Sequence, residues 1–328
     1  MNAALASRRC QRFIALRDGE CVGRIAAIMD PEFARRWSPD SGFFGFFECI
    51  PDPVCARSLL RAAESCLRQW GVTRVYGPVN LSTQNEVGFM VGDARHPPMI
   101  LSPYNPPQYN DYVVEAGYEV ERDYISYQTY MTGQAQPLIR RSLRIARAST
   151  RSPVRVRSAD VSQWSQEVQL LWQLYNRCFD HLWGFTPINL GEFSAMASEF
   201  KPFFDPRLIL IAEVEGVACG FIVFLPDINH ALWRFRKRGH PFQWLRFLRS
   251  LRHPVQGRLL LLGVHPAYTG RAIAAIMSQR LKDLVIELGY ERAEISLVDS
   301  RNAQARGVVE LFDVEVVQTY RLYVKDLR

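Results

Sequence analysis

The residues best suited to chemistry lie in a short loop at residues 265–270, between an apolar run at 259–262 and an amphipathic helix predicted from residue 273 onward. The helix is predicted because its apolar residues recur at intervals of three and four. The first N–H groups of a helix have no intrahelical acceptor, and the helix dipole adds partial positive charge there. Such an end suits a pyrophosphate. The residues that we expect to hold it are Thr269, Gly270, Arg271, Ala272, Ile273 and Ala274.

The composition indicates a packed protein with a basic surface. The chain has 328 residues, which predicts about two domains, and 48% of them are hydrophobic. We find no apolar run of about 18 residues, so no membrane span is expected. The formal net charge of +7 favours anionic partners without choosing among nucleic acid, acidic lipid, an acidic carrier protein and a phosphorylated cofactor.

The cysteines and histidines argue against disulfides and metals. Seven cysteines are scattered without a CxxC pair, and the N-terminal residues do not follow the order of a secretory signal. We therefore expect a reduced, cytoplasmic protein. The six histidines show no HxH or HExxH spacing, so no metal site is predicted.

The pattern along the chain alternates strands with helices. In the first half we predict a hairpin around Asp18-Gly19, a buried aromatic strand at 42–50, and a helix that is capped by Asp52 and ended by Gly71. A strand at 73–76, an irregular proline-rich segment, a short helix and one or two strands up to residue 131 follow. The second half, from residue 154, reads strand, helix, helix, three strands, loop, helix, strand, helix, strand.

Two basic segments interrupt this pattern. Residues 133–153 form a linker in which Arg140, Arg144, Arg147 and Arg151 lie on one face of any helix, either as a solvated surface or as an anion-docking stripe. Residues 229–256 form an insert that interleaves basic and aromatic side chains. A lid over a cleft, a docking site for an acidic acyl carrier protein, and a membrane or RNA surface remain open for the insert.

The order of elements in the second half resembles the GNAT acyltransferase fold, and the first half resembles an incomplete second copy. The phrases GFFGFFECI, GPVNLSTQNE, PYNPP, HLWGFTP and LLLLGVHPAYTG are similar to those of bacterial tandem GNAT-like acetyltransferases. The resemblance implies a mixed α/β fold of two GNAT-like units, at 1–132 and 154–328, joined by the basic linker.

The resemblance also implies an N-acyltransferase. Acyl-CoA or acetyl-CoA, or an acyl carrier protein thioester, would donate the acyl group to a small-molecule amine by direct attack. The family places oxyanion donors at Gly263 and Val264, and a contact to the pantetheine arm at Asn302. The loop before the first-half helix is short, and Asp52 would repel a phosphate there. We therefore predict that the first half holds no coenzyme.

The chain departs from the family at three positions. Thr269 stands where Arg or Gln is usual, and Ala272 replaces a glycine, so its Cβ hinders close approach to phosphate. Val309 stands where many members carry a tyrosine that protonates the leaving thiolate. These departures keep two other hypotheses open: a non-catalytic binding or scaffold protein, and an aminoacyl-tRNA-dependent transferase that uses the basic segments. No RNP-like or zinc-finger pattern supports nucleic acid as the main partner.

The remaining candidates are polar or aromatic groups near the predicted cleft. Asp299 and Ser296 follow a strand and are the candidate base and its neighbour, whereas His265, before a proline, is not expected to be catalytic. Each acceptor-site candidate also has a structural alternative, which is satisfying irregular backbone or packing in the core. The acceptor-site candidates are Asn80, Asn85, Glu86, Tyr104, Asn105, Trp183, Phe185, Asp227 and Asn229.

Overall fold

The computed structural model describes residues 7–93, 98–131, 154–229, 255–309 and 314–327. Its strands, numbered along the chain, are β1 Arg9–Arg17, β2 Glu20–Met29, β3 Ser41–Cys49, β4 Arg74–Gly77, β5 Phe89–Met90, β6 Glu119–Tyr130, β7 Val154–Ser158, β8 Ile209–Val214, β9 Val217–Pro226, β10 Gln256–Val264, β11 Arg292–Asp299 and β12 Val314–Asp326. Its longer helices are α1 Pro31–Arg36, α2 Pro53–Gln69, α3 Tyr109–Glu115, α4 Trp164–Phe179, α5 Leu190–Phe200, α6 Ile273–Glu287 and α7 Ala303–Val309. The predicted mixed α/β fold is confirmed.

Local sequence signals explain most of these elements. Asp18 and Gly19 both have positive φ, as the tight turn of the β1–β2 hairpin requires. The Asp52 side chain accepts a hydrogen bond from the Val54 N–H and caps α2, which carries a proline at its start. The sequence predicts one or two strands up to residue 131, and the structure has one continuous strand there, β6.

The described strands form a single sheet with the order β1-β2-β3-β4-β12-β6-β11-β10-β9-β8-β7, and β5 pairs with β12. Among the described strand pairs, only β3–β4 and β10–β11 are parallel. Strand β6, the last strand of the first half, pairs with β11 of the second half. Strand β12, the last strand of the second half, pairs with β4 of the first half. The division of the sequence at residues 132 and 154 therefore remains a proposal about chain segments, since neither segment completes its own part of the sheet.

Helices cover the sheet on both faces. In the first half, α2 packs on β1, β2 and β3, and in the second half α6 and α4 lie on opposite faces of β9 and β10. A loop after α4 joins the halves, because the Trp183 ring packs edge-on against Phe33 and the Trp37 indole N–H donates to the Phe185 carbonyl at 2.7 Å. We call these contacts between the two halves the seam. The β10–β11 region lies next to residues from both halves, because β11 pairs with β6.

Several predicted features lie outside the described residues. They are the linker at 133–153 with its arginine stripe, and the insert at 229–256 except for Asn229 and residues 255–256. No helix of the part that is described combines the length and apolarity needed to cross a bilayer. The seven cysteines are free thiols, and four of them are buried.

Candidate active site

The candidate site is centred on a split between the parallel strands β10 and β11. Their pairing runs from Gln256 opposite Arg292 to Leu259 opposite Ile295 and then stops, although each strand continues for several residues. On its other edge β10 stays paired with β9 as far as Val264, with an irregularity between Leu259 and Leu261. Such bulges occur often beside active sites. Beyond Leu259, β10 has no strand partner on this edge among the described residues, which is what an extended ligand would need.

Hydrogen-bond alternation shows which groups of β10 face the split. The His265 N–H donates to the Cys219 carbonyl of the β9 side at 2.8 Å. Because N–H groups alternate along an antiparallel strand, the Gly263 N–H also points toward β9, whereas those of Leu262 and Val264 face the split. Of the two oxyanion donors predicted from the sequence, Val264 is thus the one in position.

The predicted pyrophosphate loop leads directly from β10 into α6. Gly270 has φ +86° and Ala272 has φ +52°, so the alanine adopts the left-handed backbone for which glycine is usual. No side chain of the described residues caps the first turn of α6, and the N–H groups of Ile273 and Ala274 have no intrahelical acceptor. Arg271 and Thr269 are exposed beside this turn, and the Arg271 guanidinium lies 5.2 Å from the Tyr268 ring centroid.

A buried polar cluster lies beside the split. Its members are Glu294, Ser296, Ser126, Arg258, Ser102 and Tyr320, and we call it the Glu294 cluster. The Ser296 hydroxyl donates to Glu294 Oε1 at 2.5 Å, and Arg258 Nη1 donates to the Ser102 hydroxyl at 3.0 Å. Burial raises the pKa of Glu294, lowers that of Arg258 and raises that of Tyr320 to about 12. Of these residues only Ser296 was predicted from the sequence.

Asp299, the predicted base, is fully engaged by other groups. Its Oδ2 accepts a hydrogen bond from Arg122 at 2.5 Å, and its Oδ1 accepts one from the Arg301 N–H at 2.9 Å. The Arg122 guanidinium in turn stacks 3.5 Å over the Trp183 ring. Asp299 and Trp183 therefore form the two sides of an arginine clamp at the seam, an arrangement that favours the alternative turn-and-structure role for Asp299.

Three more predicted positions have structural partners. The Asn302 side chain accepts from the Ala305 N–H at 3.0 Å, as a helix cap does, and His265 Nδ1 accepts from the Ala267 N–H at 3.2 Å. Val309 is 4% exposed and packs in the same core as α6. The tyrosine found at this position in many family members is thus replaced by a core residue.

The acceptor-site candidates fall into two groups. In the first half, Asn80 Oδ1 accepts from the Phe46 N–H at 2.6 Å and Asn105 bonds the Met90 backbone, so these two side chains satisfy irregular backbone. Glu86 accepts a hydrogen bond from the Asn80 side-chain amide at 2.7 Å. Near the split, Asp227 accepts from Gln256 at 2.6 Å and Asn229 donates to the Pro98 carbonyl at 3.0 Å. Phe185 is buried in the α4 core, whereas Tyr104 is 68% exposed and Asn85 is exposed.

The first half contains a similar split that its own chain fills. Strands β3 and β4 pair only up to Phe43 opposite Tyr76. Beyond this point the Val79 N–H donates to the Phe44 carbonyl at 2.9 Å, and Asn80 Oδ1 accepts from the Phe46 N–H at 2.6 Å. The segment after β4 thus takes the place that remains open between β10 and β11.

Known proteins are similar in sequence to this chain over most of its length. The sequence model of the acetyltransferase (GNAT) family matches residues 168–312. A bacterial ceramide synthase of Caulobacter vibrioides is 35% identical over 97% of this chain and 84% of its own. Protein YghO of Escherichia coli is 29% identical over 97% of this chain and 82% of its own. Within the described residues no cluster of metal-ligating side chains occurs.

Solved structures agree with the fold. A tandem GNAT protein from the clavulanic acid biosynthesis pathway has a TM-score of 0.52 at 10% identity, covering 98% of this chain and 84% of its own. A GCN5-related N-acetyltransferase from Sphaerobacter thermophilus has a TM-score of 0.53 at 14% identity, covering 95% and 78%. Together with the 35% identical relative, these matches show that the chain belongs to the GNAT acyltransferase superfamily.

Proposed function

We propose that this protein transfers an acyl group from a coenzyme A thioester to the amine of a long-chain amino alcohol. The observation that carries the proposal is the open β10–β11 split that leads directly into the uncapped first turn of α6. An extended thioester with a pyrophosphate at one end matches both features. The type of reaction follows from the superfamily, and the two substrates are the proposal.

The donor end would bind at the loop and along the split. The N–H groups of Ile273 and Ala274 would bind the pyrophosphate, and the exposed Arg271 would add positive charge. The N–H groups of Leu262 and Val264 would bond the pantetheine arm and the thioester carbonyl oxygen. Ala272 adopts the left-handed conformation that glycine favours, so this turn forms without a glycine at that position.

The acceptor class is inferred from the relative named a ceramide synthase. A ceramide is the amide of a fatty acid and a long-chain amino alcohol, so its formation needs a thioester and a primary amine. In this chain the split lies beside polar groups of the Glu294 cluster and apolar side chains of the α4 core, among them Leu260 and Leu261. Such surroundings suit a polar head with an apolar chain.

The other hypotheses are less well supported by the described residues than acyl transfer from coenzyme A. A carrier-protein or aminoacyl-tRNA donor rests on the linker and the insert, which lie outside them. A purely structural role rests on Thr269, Ala272 and Val309, and it does not explain the open split. We therefore retain coenzyme A as the donor to test first.

The substitution Ala274→Asp tests the donor site. Ala274 lies in the first turn of α6, where Asp stabilises a helix but repels a bound pyrophosphate. We expect affinity for coenzyme A, measured by calorimetry, to fall at least about tenfold, since a repulsion of about 1.4 kcal/mol has that effect. Ala274→Asn, which has the same size without the charge, should bind nearly as the wild type does.

The reaction is tested with a long-chain acyl-CoA and a long-chain amino alcohol. The release of free thiol and the mass of the N-acyl product report acyl transfer by the wild type, and Ala274→Asp should raise KM for the acyl-CoA. If the wild type neither binds coenzyme A nor forms an amide, the proposed function is wrong. Equal binding by the Asp and Asn variants would place the pyrophosphate elsewhere.

A further inference from the structure

Glu294 lies at the point where the two strands of the split begin to separate. It is opposite Arg258 in the paired part of β10, and Leu259–Ile295 is the next and last pair. Its neighbours Ala293 and Ile295 pack in the core with α6. Because side chains alternate along a strand, Glu294 points to the other face, toward the seam with the first half.

The Glu294 carboxylate is buried, and it forms no ion pair with the basic residues that the structure describes. Its Oε1 accepts hydrogen bonds from Ser296 at 2.5 Å and Ser126 at 3.3 Å. Within the described ranges no donor contacts Oε2, and no basic nitrogen lies within 4.0 Å of the carboxylate. Among the described residues, two hydroxyls hold this glutamate, and a buried carboxylate without an ion pair is costly to the fold, which makes Glu294 a functional candidate.

The nearby Arg258 guanidinium donates hydrogen bonds to groups other than Glu294. Arg258 is 2% exposed, and its Nη1 donates to the Ile100 carbonyl and the Ser102 hydroxyl. Its Nε is buried, and none of the residues that the structure describes accepts a hydrogen bond from it. Arg258 therefore adds a positive charge near Glu294 but leaves the carboxylate open to a ligand.

The charged groups around Glu294 come from three elements and have opposing effects. Burial is the largest influence and raises the Glu294 pKa, Arg258 on β10 lowers it, and Asp227 after β9 raises it. Tyr320 on β12 has its own pKa raised to about 12 by burial and remains neutral. A carboxyl group with a raised pKa is a stronger base than an ordinary glutamate, which suits a proton acceptor.

We propose that Glu294 is the proton acceptor for the ammonium group of the acyl acceptor, with Ser126 and Ser296 fixing its carboxylate. Oε2 takes one proton from the ammonium, which leaves a neutral amine. The amine nitrogen then forms a C–N bond with the thioester carbonyl carbon, and the C–S bond breaks with its electron pair on sulfur. A second N–H proton passes to that thiolate, which gives the amide and the free thiol. This inference rests on the proposed N-acyl transfer.

The substitution Glu294→Gln tests this role, and Glu315→Gln is its matched control. Glu315 is an exposed residue of β12 that accepts from Gln128 at 3.4 Å. We expect Glu294→Gln to lower kcat at least about 100-fold at neutral pH, as the loss of a general base does. It should also abolish the acidic limb of the pH profile of kcat/KM, while coenzyme A binding stays unchanged. Glu315→Gln should keep both the rate and the profile.

A second acceptor separates proton transfer from mere structure. A long-chain O-alkyl hydroxylamine is unprotonated at neutral pH, so it needs no base before attack. The Glu294→Gln variant should therefore regain activity relative to the wild type with this acceptor, and thermal unfolding should show that it folds. Equal loss with both acceptors, or an unchanged pH profile, would overturn the role of Glu294. A wild type that is inactive with every amine would instead overturn the proposed function.

Discussion

Ala272 departs from the family pattern and adopts a backbone conformation that usually needs glycine. Its φ of +52° lies in the left-handed region, which an L-residue with a Cβ occupies at a cost of about 1–2 kcal/mol. The next residue starts α6, so the unusual conformation is what turns the chain into the helix. The sequence predicts weakened phosphate binding, whereas the structure shows that the alanine adopts a strained conformation for which glycine is usual.

The substitution Ala272→Gly should therefore stabilise the protein. Relief of left-handed strain outweighs the greater chain entropy of glycine in the unfolded state, so we expect the free energy of unfolding to rise by about 0.5–1 kcal/mol. Urea denaturation measures it. Ala274→Gly, within the helix two residues later, should instead lower stability by up to about 1 kcal/mol. A loss of stability in both variants would show that Ala272 is unstrained.

Individual site residues were the part least predictable from the sequence. Glu294 and Arg258 are charged residues within otherwise apolar strands, and this was their only signal. Their importance depends on β6 and the segment before α3, which bring Ser126 and Ser102 from the first half. Asp299 was a natural candidate at a strand end, but its partner Arg122 is distant in sequence. No spacing rule reveals such pairs.

Among the elements, strand β10 combines two tasks on its two edges. Toward β9 it keeps a ladder up to Val264, and toward β11 it has no strand partner after Leu259 among the described residues. The register of β10 against β9 shifts at Leu260, between these two regions, and such an irregularity bends a strand. The ladder holds the strand rigid while its other edge can contact substrate, as an oxyanion site requires.

The substitution Val264→Pro isolates one of these N–H groups. Proline removes an N–H that faces the split and is not used in the β9 ladder, so the fold should persist. If this group stabilises the oxyanion, kcat should fall by about 100- to 1,000-fold with little change in coenzyme A binding. Val264→Ala keeps the N–H and should retain most activity. Full activity of the folded proline variant would exclude Val264 as a donor.

Local signals predicted most elements, since hairpin glycines, Asp-Pro helix starts and apolar periodicity act within a few residues. The same Asp-Pro signal precedes α1, where the Asp30 side chain accepts from the Glu32 and Phe33 N–H groups, yet that six-residue helix was not predicted. It carries too few apolar positions to show a helical period. The two-residue strand β5 exists only because β12 passes beside it.

At the scale of the whole molecule, the exchange of strands β6 and β12 makes the two halves interdependent. Both strands alternate in polarity, which predicts strands but not their partners, because the pairing joins residues nearly 200 positions apart. Tyr320 and Leu322 of β12 pack in the first-half core with Phe33 and Phe43. Side chains of β12 thus complete a hydrophobic core that is otherwise formed mainly by residues of the first half.

The substitution Leu322→Ala should therefore weaken both halves together. Leu322 is fully buried, so its truncation should lower the free energy of unfolding by about 2–5 kcal/mol. Hydrogen exchange with mass spectrometry can follow α2 in the first half and α6 in the second, and both should lose protection equally if the sheet unfolds as one unit. Val316→Ala, on the same strand but 55% exposed, should change neither. Faster exchange confined to α2 would mean that the halves unfold independently despite the shared sheet.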